Sequence, residues 1–152
     1  MRIGVISDTH GLLRPEALQA LAGVEAILHA GDVGDPAILE ALGKIAPVTA
    51  IRGNIDQAGK CAAPPPTEWV ELGGAAFYLI HDLKALDLDA GAAGIAVVVS
   101  GHTHQPKVER RKGVLYLNPG SAGPRRFRLP VTLARATVEE GRVEAEIVDL
   151  EG

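Results

Sequence analysis

Short apolar runs that end in polar turns dominate the first third of the chain. The first run, residues 2–7, shows no amphipathic alternation, which is typical of a strand buried on both faces of a sheet. Residues 24–30 and 47–51 have the same character. Between these runs, residues 14–22 and 36–42 carry apolar side chains at helical spacing, and both begin near a proline. The pattern predicts the order β-α-β-α-β.

Pairs of strand-like segments fill most of the remaining chain. Three hairpins are predicted, from residues 67–72 with 75–80, 105–111 with 114–118, and 130–138 with 143–150. A glycine-containing turn separates the members of each pair. Residues 95–99 predict another buried strand, residues 83–94 a weak helix or irregular segment, and residues 57–66 a surface connection. The pattern predicts one α/β domain, residues 1–152, with two sheets packed face to face and helices outside.

Composition narrows the class of protein. The chain has 152 residues, 47% of them hydrophobic but only 3% aromatic, which suits a single domain with an aliphatic core. No apolar run approaches the ~20 residues that span a bilayer, and the N-terminus enters a strand at once, so we expect a cytoplasmic protein with no membrane contact. The single cysteine, Cys61, excludes an intrachain disulfide and a cysteine-based zinc site.

The charge is weakly acidic but unevenly placed. A net charge of -4 argues against a protein that coats nucleic acid through bulk electrostatics. Seven of the fifteen basic residues lie between Lys107 and Arg128, where Glu109 is the only acid. This segment either attracts an anionic substrate or is a charged sheet edge that keeps the protein soluble, and the second interpretation is slightly favoured.

Polar residues that suit metal ligation follow three successive predicted strands. Asp8 and His10 follow the first strand, Asp32 the second and Asn54 the third. Open α/β sheets bind ligands beyond the carboxyl ends of their strands, where these side chains would lie together. An Asp in such a turn is a helix cap as often as it is a metal ligand. We assign the capping role to Asp35. Three such turns in succession are hard to explain by turn preference alone.

Histidines follow two further predicted strands. His102 and His104 come after residues 95–99, and residues two apart in extended backbone point the same way. His81 follows residues 75–80, whereas His29 lies inside a buried strand, where a structural role is favoured. An isolated His-x-His is more often a pair of loop histidines than a metal site.

Together, the candidate ligands are too many for one tetrahedral zinc ion. They suit two cations ~3.5–4 Å apart that share a carboxylate, activate water and hold a phosphoryl group. Mixed imidazole and carboxylate ligation favours manganese, iron, nickel or zinc over calcium or magnesium. The candidate metal ligands are Asp8, His10, Asp32, Asn54, His81, His102 and His104.

The ordered motifs resemble the calcineurin-like metallophosphoesterase superfamily, and the short chain with its Asn118-Pro119-Gly120-Ser121 turn is similar to the small, YfcE-like phosphodiesterase branch. The resemblance covers residues 3–125. It implies a four-layer α/β/β/α sandwich of two packed mixed sheets flanked by helices. It also implies a phosphodiesterase that hydrolyses a phosphate diester through a metal-bridging hydroxide. The motifs are Asp8-x-His10, Gly31-Asp32, Gly53-Asn54-x-Asp56, His81 and Gly101-His102-Thr103-His104.

The resemblance also implies a role for each ligand. One metal would be bound by Asp8, His10 and His104. The other would be bound by Asn54, His81 and His102, with Asp32 as the bridge. The cofactor would be two divalent ions, with Mn²⁺ favoured and Ni²⁺, Zn²⁺ or Fe²⁺ as alternatives. Asn54 and His102 would lie near the phosphate of a small phosphodiester substrate, with Arg125 and Arg52 as candidates to hold it. The oligomeric state, including a homo-oligomer, stays open.

Two positions depart from the family pattern. Many relatives place a His directly after the motif Asn, where it protonates the leaving oxygen, but this chain has Ile55. Leaving groups of low pKa would then be favoured, or the acid would come from elsewhere. Asp56 is a candidate acid, and a carboxylate that fixes the turn is an equally good interpretation. Asp82 follows His81 where we expect a glycine.

Two other functional classes compete with the enzyme. The same fold includes Vps29, a retromer subunit that serves chiefly as a non-catalytic protein-interaction scaffold. Scaffolds can lose ligand histidines, whereas this chain retains them all, which favours the enzyme. A zinc peptidase or lactamase-like hydrolase is disfavoured because neither His-Glu-x-x-His nor His-x-His-x-Asp-His occurs. The sequence does not identify the physiological substrate.

Overall fold

The computed structural model describes residues 1–56 and 62–151. Within these residues the chain forms ten strands, three short α-helices and a 3₁₀ turn at Leu83–Ala85. The helices are α1 (Pro15–Ala20), α2 (Pro36–Gly43) and α3 (Ala90–Ala93). The strands are β1 (Arg2–Ile6), β2 (Ala26–His29), β3 (Val48–Ala50), β4 (Thr67–Leu72), β5 (Ala75–Ile80), β6 (Val97–Val99), β7 (Lys107–Arg111), β8 (Val114–Asn118), β9 (Thr132–Glu139) and β10 (Arg142–Asp149).

The first sheet has the order β10-β9-β1-β2-β3. Strands β1, β2 and β3 are parallel, with Ile6 opposite His29 and His29 opposite Ala50. The crossovers that parallel strands require are supplied by α1 and α2. Since the three strands end in register, the polar turns that follow them lie side by side, as the sequence predicted.

The second sheet has the order β4-β5-β6-β8-β7. Its edges are antiparallel hairpins, whereas β5, β6 and β8 run parallel at its centre. Leu79 lies opposite Val99, so β5 and β6 end at the same level. This arrangement brings the turn that contains His81 beside the turn that contains His102 and His104.

Three apolar clusters hold four layers together. The largest lies between the sheets and joins Val5 and Leu28 to Phe77 and Val99. A second cluster packs α1 and α2 on the outer face of the first sheet, and a third packs the α3 region on the second. The predicted α/β/β/α sandwich is therefore confirmed. Its side chains are mainly aliphatic, as the scarcity of aromatic residues requires.

Most predicted elements are present, with local differences at their ends. The 67–72 and 75–80 hairpin has its predicted bounds, because Gly73 and Gly74 adopt positive φ values of 60° and 85° that suit a two-residue turn. The first helix is shorter than predicted, and the 83–94 segment resolves into the 3₁₀ turn and α3. Part of the predicted 57–66 connection lies outside the described residues.

Within the described residues, no helix has the length and apolarity that a membrane span needs.

Candidate metal centre

The turns that follow β1, β2, β5 and β6 meet at one edge of the sandwich. Backbone hydrogen bonds join them in pairs, since the amide of Asp8 donates to the Gly31 carbonyl (3.0 Å) and that of Gly101 to the His81 carbonyl (2.9 Å). The amide of His102 donates to Oδ2 of Asp8 over 3.1 Å, which connects the two sheets. The sequence therefore brings its candidate ligands together through the parallel strands of both sheets.

The backbone at this edge adopts conformations that ordinary residues rarely take. Left-handed φ values cost a non-glycine residue roughly 1–3 kcal/mol and cluster at functional sites. Five of the seven candidate ligands adopt them: Asp8 (55°), His10 (46°), Asp32 (55°), His102 (71°) and His104 (63°).

The two carboxylate oxygens of Asp8 have different surroundings. Oδ2 accepts hydrogen bonds from the hydroxyl of Ser7 (2.7 Å) and the amide of His102 (3.1 Å). Oδ1 is buried and accepts none. It lies 3.4 Å from Nε2 of His104, 3.6 Å from Nε2 of His10 and 3.7 Å from Nε2 of His81. The protein thus saturates one oxygen and points the other at three imidazoles.

Asp32 repeats this arrangement beside Asp8. Its Oδ1 accepts the amide hydrogen of Ile55 over 3.0 Å. Its Oδ2 lies 3.1 Å from Nε2 of His81 and 3.6 Å from Nε2 of His10. Nδ1 of His81 donates to the carbonyl of Ala30 over 2.7 Å, which fixes the ring orientation and turns Nε2 toward the carboxylates.

The donor set fits divalent metal ions. Four buried atoms in the described residues make no hydrogen bond of acceptable distance and angle: Oδ1 of Asp8, Nε2 of His10, Nε2 of His81 and Nδ1 of His104. Buried polar atoms without partners are rare because each costs roughly 1–3 kcal/mol. Two groups bring their ligand atoms within 4.8 Å of one another: Asp8 with His10 and His104, and Asp8 with Asp32 and His81.

Electrostatics keeps the two carboxyls ionised. Burial alone would raise the pKa of Asp8, but the imidazoles of His10 and His104 and the hydroxyl of Ser7 lower it well below its usual range. Burial likewise opposes ionisation of Asp32, whose pKa is lowered by His81 and by the Ile55 amide. The pKa of His81 is raised because Asp32, the Ala30 carbonyl and Asp8 outweigh its burial. A cation bound between these carboxylates would compete with a proton for Nε2 of His81.

His102 and Asn54 lie at the border of this cluster. The His102 ring packs edge-on against that of His81, with centroids 5.3 Å apart, while its Nε2 lies 3.9 Å from Oδ2 of Asp82. Asn54 directly precedes Ile55, whose amide binds Asp32. The structure therefore gathers five of the seven candidates into two tight groups, and His102 contacts that cluster through His81.

Glycines explain how the turns approach so closely. A Cβ on Gly53 would lie 2.2 Å from Oδ1 of Asp32. A Cβ on Gly101 would lie 2.2 Å from the Ser7 hydroxyl and 2.6 Å from Oδ2 of Asp8. Any side chain at either position would displace a carboxylate, which accounts for the glycines in the Gly53-Asn54 and Gly101-His102 motifs.

Comparison with known proteins gives the family. The model of the calcineurin-like phosphoesterase superfamily domain matches residues 1–141. The chain belongs to the calcineurin-like phosphoesterase superfamily. Within it, the chain is 35% identical to "Probable metallophosphoesterase MJ0623" of Methanocaldococcus jannaschii in an alignment that covers 99% of this chain and 82% of the relative. The resemblance that the motifs indicated is confirmed.

Two solved structures show the same fold. An archaeal phosphodiesterase superposes with a TM-score of 0.80 at 24% identity, covering 97% of this chain and 100% of its own. Vps29 of Entamoeba histolytica in complex with zinc superposes with a TM-score of 0.76 at 22% identity, covering 99% of both chains. The fold of this chain is thus shared with an archaeal phosphodiesterase and with Vps29.

Asp56 is a buried carboxylate that binds the backbone of two turns. Oδ2 accepts the amide hydrogens of Val33 and Gly53, both over 3.0 Å, and Oδ1 accepts that of Gly34 over 3.1 Å. These bonds join the turn after β2 to the turn after β3. Of the two interpretations that the sequence allowed, the structure favours a carboxylate that fixes the turns over a general acid.

The candidate phosphate-binding arginines have other partners. Nη1 of Arg125 lies 3.4 Å from Oε1 of Glu151, and Nη1 of Arg52 donates to the carbonyl of Pro64 over 3.3 Å. In the basic segment, Lys107 and Arg111 both pair with Glu109, at 2.7 and 3.2 Å, on β7 at the edge of its sheet. This pairing supports the interpretation of a charged sheet edge for that part of the segment.

Sequence reasoning missed the residues that orient Asp8 and the His102 turn. The Ser121 hydroxyl donates to the Asp8 carbonyl over 2.9 Å, and the Ser7 hydroxyl binds its carboxylate. Nδ2 of Asn118 donates to the Gly101 carbonyl (3.0 Å) and to Oγ1 of Thr103 (3.1 Å). A usable signal was present, because Ser7 and Asn118 are polar residues at the ends of otherwise apolar strands.

His29 has the structural role that the sequence favoured. Its Nδ1 accepts the Gly31 amide hydrogen (3.1 Å), so its Nε2 donates to Oγ1 of Thr9 (3.0 Å), whose hydroxyl donates to the Val33 carbonyl (2.8 Å). The ring is fully buried and needs to be neutral for this chain of bonds. Burial lowers the pKa of His29 from 6.5 to about 4, although nearby carboxylates oppose the change.

A pH dependence of stability follows from His29. Because its folded-state pKa is lowered, its contribution is complete above pH 6.5 and is lost as the pH falls toward 4. We expect a loss of about 3 kcal/mol in unfolding free energy over this interval. The measurement is urea unfolding at pH 7 and 4.5, with chelator, of the wild type and His29→Asn, whose amide oxygen can still accept from Gly31. Parallel pH profiles for the two proteins would contradict the assignment.

Proposed function

We propose that this protein is a phosphodiesterase that uses two divalent metal ions, Mn²⁺ being favoured over Ni²⁺, Zn²⁺ and Fe²⁺. The observation that carries the proposal is Oδ1 of Asp8, a buried oxygen with no hydrogen-bond partner that faces three imidazole nitrogens within 3.7 Å. Membership of a phosphoesterase superfamily and the archaeal phosphodiesterase with this fold support the same activity.

The ligand assignment is part of the proposal. Asp8, His10 and His104 would hold one ion, and their ligand atoms already lie within 4.8 Å of one another. Asn54, His81 and His102 would hold the other. Asp32 would bridge the ions, and its Oδ2 lies within 3.6 Å of imidazoles from both sets.

The protein's own residues would act mainly by pre-organisation. Two bound cations would supply an activated water near neutral pH and neutralise charge on the phosphoryl group. Ser7, the His102 amide and the Ile55 amide hold one oxygen of each carboxylate and leave the other for ligation. The Ala30 carbonyl fixes the tautomer of His81, so Nε2 is the nitrogen presented to a metal.

The substrate would be a diester with a good leaving group. Ile55, half-exposed beside Asn54, cannot donate a proton. Asp56 is buried and accepts three backbone hydrogen bonds, so it is poorly placed to protonate a leaving group. Leaving groups that depart without protonation would therefore react fastest. Asn54 and His102 would contact the phosphate, and Arg125 would do so only by exchanging its partner Glu151.

Metal binding tests the site. Chelator-treated protein titrated with Mn²⁺ should bind two ions per chain, and its Tm should rise by at least about 5 °C, because the ions bind the folded state and neutralise the buried carboxylates. Isothermal titration calorimetry and a thermal melt measure the two quantities. A stoichiometry below about one ion per chain would contradict the metal centre.

Turnover distinguishes the enzyme from a Vps29-like scaffold. The scaffold remains a second candidate because Vps29 shares this fold, and the Vps29 structure with zinc indicates that metal binding alone does not separate the classes. The manganese-loaded protein should hydrolyse bis(p-nitrophenyl) phosphate. A filled site with no turnover across a panel of mono- and diesters would favour the scaffold.

A further inference from the structure

A cavity of about 360 Å³ opens beside His102. Its volume lies within the roughly 300–1,000 Å³ that small-molecule sites occupy. The turn that contains His102 lines the cavity, so the cavity and the proposed metal centre share this residue. Its apolar or largely apolar lining includes the side chains of Leu83, Pro106 and Tyr116.

Several polar groups of this cavity are already hydrogen-bonded within the protein. Nδ2 of Asn118 binds the Gly101 carbonyl and Oγ1 of Thr103, and its Oδ1 accepts the Gly120 amide hydrogen over 2.9 Å. Oδ1 of Asp82 accepts the amide hydrogen of Lys84 over 3.1 Å. Recognition here would therefore depend on apolar contact more than on new hydrogen bonds.

One aromatic ring gives the wall a fixed shape. The guanidinium of Arg111 lies 4.7 Å from the centroid of the Tyr116 ring, a distance typical of a cation–π contact. Tyr116 lies in the middle of β8, where it pairs with Val98 of β6 on one side and with Glu109 of β7 on the other. Arg111 thus covers one face of a ring that is held on a strand, and the ring also lines the cavity, where a flat group can pack against it face-on or edge-on.

The charges at this cavity favour an anionic compound. Lys84 and Lys107 both line it, and Asp82 is the only acid that does so. Lys107 pairs with Glu109 at 2.7 Å, whereas no ion pair of the Lys84 ammonium occurs within residues 1–56 and 62–151. Lys84 therefore supplies the lining with a positive charge that can attract a phosphate ester.

We propose that this cavity receives an aromatic, or similarly flat and apolar, ester group of the phosphodiester. The protein would then select substrates by the group attached to phosphorus, with the Tyr116 ring as a specificity-determining contact. This inference rests on the proposed function, because His102 lies both in the cavity wall and in the proposed metal centre.

Two phosphonates, one with a methyl group and one with a phenyl group on phosphorus, test the proposal by binding. The manganese-loaded protein is titrated calorimetrically with methylphosphonate and with phenylphosphonate. We expect phenylphosphonate to bind at least about tenfold more tightly, because only its ring buries apolar surface in the cavity. Equal affinities in the wild type would overturn the assignment of the cavity.

Variants test whether the difference in affinity between the two phosphonates arises in this cavity. Tyr116→Ala should reduce the affinity ratio to below about threefold while methylphosphonate binding, which reports an intact fold, stays unchanged. Tyr116→Phe should keep the ratio. Gln105→Trp, which adds bulk at an exposed lining residue, should also reduce it. The matched control is Trp69→Ala, which removes an aromatic side chain that is 41% exposed on β4, at the other edge of the same sheet.

The outcomes separate the two proposals. If methylphosphonate binds and the ratio is unchanged in both Tyr116→Ala and Gln105→Trp, the cavity does not hold the ester group and the proposed metal centre stands. If neither phosphonate binds the manganese-loaded wild type, the phosphate site itself is wrong, and this inference is overturned with it.

Discussion

Asp32→Asn is expected to lower kcat/KM for bis(p-nitrophenyl) phosphate by at least roughly 10³-fold. The amide oxygen can still accept the hydrogen bond that Oδ1 of Asp32 receives from Ile55, so the turn should keep its shape. The change removes the negative charge that faces His10 and His81 and that would be shared by both ions. Steady-state kinetics at saturating Mn²⁺ measures the effect.

Asp35→Asn is the matched control for this variant. The same substitution is made three positions along the chain, where the exposed Asp35 side chain caps α2 by accepting the Ala37 amide hydrogen over 2.9 Å. Asn caps a helix as well as Asp does, so stability and turnover should both stay near wild type. Undiminished manganese-dependent turnover in Asp32→Asn would defeat the proposed bridging role and the two-metal mechanism with it.

Asp56→Ala is expected to lower the free energy of unfolding by at least about 3 kcal/mol. The substitution leaves three backbone amides, those of Val33, Gly34 and Gly53, without their acceptor. Each orphaned amide costs roughly 1–3 kcal/mol where water cannot replace the lost partner. Urea unfolding at pH 7 measures the loss.

Asp89→Ala provides the comparison for this loss. Asp89 also accepts a backbone amide hydrogen, from Ala92 over 3.2 Å, but this bond is exposed and caps the short helix α3. Its removal should cost about 1 kcal/mol. Similar losses for the two variants would contradict the buried structural role of Asp56. A folded Asp56→Asn protein with an altered basic limb of its pH–rate profile would instead restore Asp56 as a general acid.

Much of the fold was readable from the sequence because its signals are local. Gly73 and Gly74 specify a two-residue hairpin turn, and the strands on either side have their predicted bounds. Asp35 followed by Pro36 marks the start of α2, and Asp35 caps it as expected. Where local signals were weak, as in residues 83–94, the sequence predicted only a weak helix or an irregular segment.

The sequence predicted which residues form the candidate site but not how they are arranged. Strand ends identified Asp8, His10, Asp32, His81 and His104, which the fold gathers into two tight groups. The role of Asp56 stayed open in the sequence because its three hydrogen bonds come from two separate turns. Ser7 was missed because its position beside Asp8 does not show that its hydroxyl would bind one of the carboxylate oxygens.

The sequence by itself determined the order of elements, the residue types at the strand ends and the superfamily, because apolar periodicity, turn glycines and motif spacing depend on neighbours along the chain. Only the tertiary structure decided which oxygen of Asp8 remains free and which nitrogen of His81 faces it. Those orientations depend on partners such as the Ala30 carbonyl, 51 positions from His81 along the chain. Packing of the two sheets brings these distant groups together. Their hydrogen bonds then fix the orientation of the carboxylates and of the imidazole rings.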